Sequence, residues 1–162
     1  MNWISMNEIE KRWLAFLRIA MGWLMFYAGI TKVMDPEWSA EGYARSAKTF
    51  SGLYEFFASA GQIGWINFVN KWGLTLLGIS LILGIGVRLS SSLGAVLMMF
   101  YYFPALQFPY VGEHGYIVDE HIIYALLMIY FASVRAGRYF GLEEWFGRTF
   151  LKKLPKLQKY WG

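Results

Sequence analysis

Residues 13–48 constrain the fold most: an apolar run, WLAFLRIAMGWLMFYAGITKVM, passes directly into a polar loop, DPEWSAEGYARSAK. The run is long enough to cross a bilayer, because about 20 apolar residues at about 1.5 Å each span the hydrocarbon core. It is not uniformly apolar. Arg18 sits inside it, and Lys32 and Asp35 stand at its far end. On a helix Arg18, Gly22, Met25, Gly29 and Lys32 share one face. That alternation of charge and glycine suits close packing around a polar interior better than contact with lipid. A charge at the centre of a span costs about 2.5–3.5 kcal/mol on insertion scales, and less near its ends. Arg18 lies only about a turn and a half inside, so snorkelling to the headgroups accounts for it equally well. Lys32 reads either as an interfacial anchor or as a functional cation.

A chain of 162 residues that is 57% hydrophobic and 16% charged does not have the composition of a water-soluble domain. Its 8 Trp and 11 Tyr suit interfacial belts. With 0 Cys, disulfides, thiolate metal sites and iron–sulfur clusters are excluded. The 2 His are too few for bis-histidine haem sites on several helices. The chain is basic, with a net charge of +4, but its cations gather at one membrane face, so an anionic leaflet and not nucleic acid is the expected partner.

The expected fold is all-α: a single-domain integral membrane four-helix bundle covering residues 1–162. Transmembrane helices are predicted at about 13–34, 65–86, 91–108 and 119–136. The first ends at Asp35-Pro36. An extracytoplasmic amphipathic helix is expected at about 41–59, where Tyr43, Ala47, Phe50, Tyr54 and Phe57 recur on one side. Gly73, Gly78 and Gly84 permit close helix approach, Ser90–Ser92 are expected to cap the third helix, and Pro104 is expected to kink it. A basic amphipathic C-terminal tail, at about 141–159, is expected to lie on the membrane. Of the 15 Lys and Arg, only Lys32, Arg45, Lys48 and Lys71 fall on the side of the two long loops. The positive-inside rule therefore puts both termini in the cytoplasm of a multi-pass plasma-membrane protein.

That topology brings Lys32, Asp35, Arg45, Lys48, Lys71, Glu113, His114, Asp119, Glu120 and His121 to one outer face. Its cations suit a small oxyanion, although loop charges are equally explained as solvated. Asp119, Glu120 and His121 form the densest titratable cluster, and Tyr124 falls within helical reach of it, giving a patch suited to proton transfer. A helix cap accounts for Asp119 alone equally well. No metal is expected, since HxxxH and HExxH spacings are absent. The Met98-Met99 and Tyr101-Tyr102 run reads as core or lipid-facing surface before it reads as a cofactor box.

The stretch RIAMGWLMFYAGITKVMDP, continued by EWSAEGYARSA, resembles the opening of the DoxX/DoxD family of small four-helix membrane proteins. VDEHIIYALLMIYFA and AGRYFGLEEW are similar to that family's last helix and the turn after it, and LGISLILGIGVRLSSSLGAVLMM resembles the middle. DPEWSAEGY points more narrowly to the DoxD-type large subunit of thiosulfate:quinone oxidoreductase. The resemblance implies oxidation of thiosulfate to tetrathionate on the outer side, with electrons passed to a membrane quinone and a DoxA-type small subunit as partner. Fitted to this chain, Lys32, Asp35, Arg45, Lys48 and Arg18 are the substrate-binding candidates. Trp23, Tyr27, Tyr101 and Tyr124 are the quinone-binding candidates, and Asp119, Glu120 and His121 the catalytic proton relay. No covalent cofactor or metal cluster is expected. The alternatives are a non-catalytic scaffold or accessory subunit of a redox complex, and a small-anion or lipid transporter, for which four helices would call for a homo-oligomer.

Overall fold

The structure, a computed structural model, describes residues 6–112 and 115–149. The chain is mostly helical, in the order α1 (Glu8–Met34), α2 (Glu41–Arg45), α3 (Ser51–Phe57), α4 (Ile63–Leu83) and α5 (Val87–Ala105). Three two-residue strands follow, β1 (Leu106–Gln107), β2 (Tyr110–Val111) and β3 (Gly115–Tyr116), and then α6 (Glu120–Ser133), a 3-10 turn (Ala136–Arg138) and α7 (Glu143–Thr149). Among the described residues two helices, α1 and α4, are long and apolar enough to cross a membrane.

Helix α1 begins earlier than its apolar run because Asn7 and Glu10 form a capping box: Asn7 Oδ1 accepts from the Glu10 N–H, and Glu10 Oε2 accepts from the Asn7 N–H. The inward face of α1 is the one the charge and glycine spacing marks, with Arg18, Gly22, Met25 and Gly29 all buried. Glycines let α1 and α4 touch backbone to backbone: a Cβ on Gly78 would lie 2.3 Å from the Phe26 nitrogen, and one on Gly29 would lie 2.4 Å from the Thr75 nitrogen. Gly73 has no such role, since a Cβ there would meet only Val69, at 3.9 Å. Helix α5 packs along α6, Gly94 receiving Met128 and Leu77. Contacts between α4 and α5 are sparse by comparison, so the long helices form two pairs joined by the short link Gly84-Ile85-Gly86. Both glycines of that link have positive φ, 67° and 64°, a conformation that reverses the chain with little steric cost only for glycine.

Several boundaries differ from expectation. The third long helix starts at Val87 with Gly86 as its N-cap, so Ser90–Ser92 lie inside it and do not cap it. Ser80 Oγ bonds Ser90 Oγ at 2.6 Å across the two helices instead. The helix also ends at Ala105 and gives way to the antiparallel order β1-β2-β3, whose two-residue strands are too short to carry any periodicity. The fourth helix is 120–133, shorter than predicted at both ends, with Asp119 as its N-cap.

The expected amphipathic helix at 41–59 is two short helices, α2 and α3, broken where Phe50 takes φ 56°. Tertiary bonds impose the break: the Lys48 N–H donates to the Pro104 carbonyl at 2.9 Å, and the Thr49 hydroxyl to the Leu106 carbonyl at 2.6 Å. Pro104 has no N–H, so the Phe100 carbonyl lacks its helical donor. The Tyr54 hydroxyl supplies one at 3.0 Å, while the Tyr43 hydroxyl donates to the neighbouring Tyr101 carbonyl. The α2–α3 segment is thereby fastened over the end of α5.

Burial, reinforced by the neighbouring Tyr43, pushes the Tyr54 hydroxyl up to about 12. For an acid raised above its unfolded value of about 10, the stabilising contribution is complete below pH 10 and is lost as pH climbs from about 10 to about 12. Tyr54→Phe is expected to cost about 1–2 kcal/mol through the orphaned carbonyl. It should also flatten the decline in melting temperature across that alkaline window. Unchanged melting behaviour would mean that Tyr54 does not anchor the segment.

Candidate functional site

One end of the long helices and the α2–α3 segment enclose a cavity of about 440 Å³, within the range of about 300–1,000 Å³ usual for small-molecule sites. Its walls are aromatic and aliphatic: Trp38, Tyr43, Tyr54, Phe57, Trp65, Val69, Leu97 and Phe100. Each long helix adds a polar side chain, Lys32 from α1, Asn70 from α4, Tyr101 from α5 and His121 from α6, and Ser39 lines it as well. The cavity is lined by both α4 and α5, and Trp65 and Phe100 in its wall are exposed.

Lys32 Nζ donates to the Tyr101 hydroxyl at 3.4 Å. It also stands 5.1 Å from the ring centre of Trp38 and 5.3 Å from that of Tyr101, so its charge is held between two π faces. The Tyr101 hydroxyl donates to Asn70 Oδ1, and Asn70 Nδ2 donates to the Ile66 carbonyl at 3.0 Å. His121 stacks on Tyr101, with ring centres 5.7 Å apart and planes 19° apart. Asp119 positions that imidazole. One of its oxygens caps α6 by accepting the His121 and Ile122 N–H groups, and the other lies 2.7 Å from His121 Nδ1. That contact keeps the proton on Nδ1 and leaves Nε2 free to exchange one.

The structure therefore brings Lys32, Tyr101 and His121 together, with Asp119 behind His121 and Tyr124 against its edge at 6.5 Å. Other sequence candidates stand apart. Arg45 is exposed, paired with Glu41 at 2.9 Å and reaching the Ala58 carbonyl. Lys48 is exposed. The Asp35 carboxylate caps its own turn through the Glu37 N–H, and its carbonyl accepts from Lys71 Nζ at 3.1 Å. Trp23 and Tyr27, each 60% exposed, face outward along α1 and not into the cavity. Glu120 is exposed; one carboxylate oxygen from it, one from Asp119 and one ring nitrogen of His121 lie within 4.8 Å of one another, but both Asp119 oxygens are committed to the cap and the imidazole. Glu113, His114 and the tail beyond Thr149 lie outside the described residues.

Arg18 is at the opposite end. About 14 residues of helix, about 21 Å, separate it from Lys32. It is fully buried, not snorkelled: Nη1 donates to the Ala136 carbonyl at 2.7 Å and the Tyr139 carbonyl at 3.2 Å, and Nη2 to the Phe140 carbonyl at 3.2 Å. Its placement is that of a structural clasp between α1 and the turn after α6. Nearby, buried Glu143 accepts the Val87 N–H at the start of α5 at 3.3 Å, and burial raises its carboxyl above the usual range.

Asn70, Trp38, Tyr43 and Trp65 were not among the sequence candidates for the site, although all four line it. The signal available for Asn70 was an amide inside an apolar span, which needs internal partners.

These features define a class: a small, largely helical protein with membrane-length helices and an aromatic cavity at one end, lined by a lysine and a carboxylate-backed histidine. Within that class, the chain belongs to the DoxX family, whose match covers residues 13–106, more than half of its length. No curated protein and no solved structure matches it significantly. Membership places it among membrane-associated proteins with redox-related roles.

Proposed function

We propose that the chain is the quinone-handling membrane subunit of a thiosulfate-oxidising system. The observation that carries the quinone half is the cavity, whose aromatic walls suit a planar ring and whose Lys32 and His121 suit its oxygens. In this reading α1, α4, α5 and α6 all cross the plasma membrane, both termini are cytoplasmic, and the cavity lies at the outer leaflet. The quinone enters laterally beside Trp65 and Phe100. The basic tail rests on the anionic inner leaflet.

Two thiosulfates each lose one electron and join through a new S–S bond as tetrathionate. The quinone takes both electrons with two protons and leaves as quinol. His121 Nε2 passes protons inward, with Asp119 holding the ring and Glu120 facing the aqueous side. The thiosulfate half rests on the resemblance of DPEWSAEGY to DoxD-type subunits. Two dianions repel each other and need several cations, yet of Lys32, Arg45 and Lys48 only Lys32 lines the cavity, while Arg45 pairs with Glu41 and Lys48 is exposed. A DoxA-type small subunit therefore completes the anion site. The same dispersal of cations favours a second reading, in which the chain is a scaffold that docks a redox partner without turnover of its own.

Thiosulfate-dependent reduction of a soluble quinone analogue by the purified chain in detergent, with and without the small subunit, tests this. Reduction is expected only with the partner. His121→Ala is expected to slow it about 100-fold or more while leaving the thiosulfate KM near its original value. A wild-type rate in that variant removes His121 from the relay. No reduction in any combination, with helices intact, rejects the redox reading in favour of the scaffold.

A further inference from the structure

Lys32 is a partly buried cation on an aromatic wall, and among the described residues it forms no ion pair. Its partners are one hydroxyl, at 3.4 Å, and two ring faces. Rings attract a cation but do not neutralise it, and a charge removed from water is costly until it is paired. Two of the neighbouring polar groups are already engaged with each other. Tyr101 spends its proton on Asn70, and the Asn70 amide is fixed at both ends by Tyr101 and the Ile66 carbonyl. An ammonium has three donors, and Lys32 commits one of them to protein. Lys71, at 5.7 Å from the Trp38 ring, has among the described residues only a backbone carbonyl as its hydrogen-bond partner and adds positive potential.

We propose that the cavity selects planar aromatic acids, meaning a ring system bearing one ionised oxygen, over neutral molecules of the same shape. Within the quinone reading, on which this inference rests for the ring system, the preferred form is an ionised hydroxyquinone. The ring lies against Trp38, Tyr101 and His121, the ionised oxygen takes the free N–H groups of Lys32, and the apolar edge extends toward Val69 and Leu97. A neutral quinone meets the same lysine only as a carbonyl dipole, so the difference between the two forms is a charge-assisted hydrogen bond in an apolar setting. That difference corresponds to about tenfold or more in affinity.

The test is isothermal titration of the full chain in nanodiscs with three probes. Lawsone is a hydroxynaphthoquinone ionised at neutral pH, menadione is its neutral methyl counterpart, and naphthoate is an aromatic anion without quinone chemistry. Lawsone and naphthoate are expected to bind about tenfold or more tighter than menadione. Lys32→Met should abolish the preference and Lys32→Arg should keep it, with circular dichroism confirming the fold of both. Menadione binding as tightly as lawsone overturns this inference and leaves the quinone reading standing. Tight binding of both anions, with no quinone reduction in the assay above, upholds the inference and removes the quinone reading. A preference that survives in Lys32→Met, or no binding of any probe, overturns it.

Discussion

Arg18→Met is expected to destabilise the chain by about 3–5 kcal/mol, read as an early loss of helical signal on heating in detergent. Methionine approximates the volume of the arginine stem but removes the guanidinium donor from the carbonyls of Ala136, Tyr139 and Phe140, the first of which keeps the Tyr139 N–H at 3.3 Å. Those three bonds are what tie α1 to the turn after α6. The guanidinium also sits against the glycines that admit it, with Nη1 2.6 Å from where a Cβ on Gly84 would stand and 2.7 Å from one on Gly141. Arg18→Lys keeps the charge but offers a single head in place of a planar fork, and should recover only part of the loss. Ligand affinity at the cavity, about 21 Å away along the helix, should change little in whatever fraction remains folded. A variant that melts with the wild type would show that the 136–140 turn is held by other contacts.

The second large effect is steric. Gly78→Ala places a methyl 2.3 Å from the Phe26 nitrogen and 2.5 Å from its Cα, backbone atoms that cannot rotate aside. Separating α1 from α4 is the only relief, at an expected cost of about 3 kcal/mol, the upper part of the range for overpacking. Gly73→Ala, five residues earlier on the same helix, meets only Val69 at 3.9 Å and should be neutral or slightly stabilising through helix propensity. Comparing the two melting temperatures isolates packing from propensity. Equal shifts would refute the close crossing.

Those two glycines also show how far the sequence could be read. Spacing alone treats Gly73 and Gly78 alike, because a small residue permits close approach without stating which face the neighbour occupies. The inward face of α1 was legible because Arg18, Gly22, Met25 and Gly29 share a helical stripe that lipid would not favour, and the Asp119 cap was legible from local chemistry. The role of Arg18 was not. Its carbonyl partners lie 118 to 122 residues away in sequence, and no local pattern encodes them. The same is true of the break at Phe50, where a continuous amphipathic pattern yields to bonds from Lys48 and Thr49 to the end of α5. At the cavity, Lys32 and His121 came from residue chemistry, and Tyr101 from the resemblance. Asn70 and Trp38 are assigned to it only by the packing of other elements around them.

The two helix pairs are joined through Gly84-Ile85-Gly86 and clasped by Arg18 and Glu143 at one end, while the cavity lies at the other. Mechanically this is a pair of tongs. By geometry, a rotation of one pair against the other about that link is smallest at the clasp and largest at the cavity.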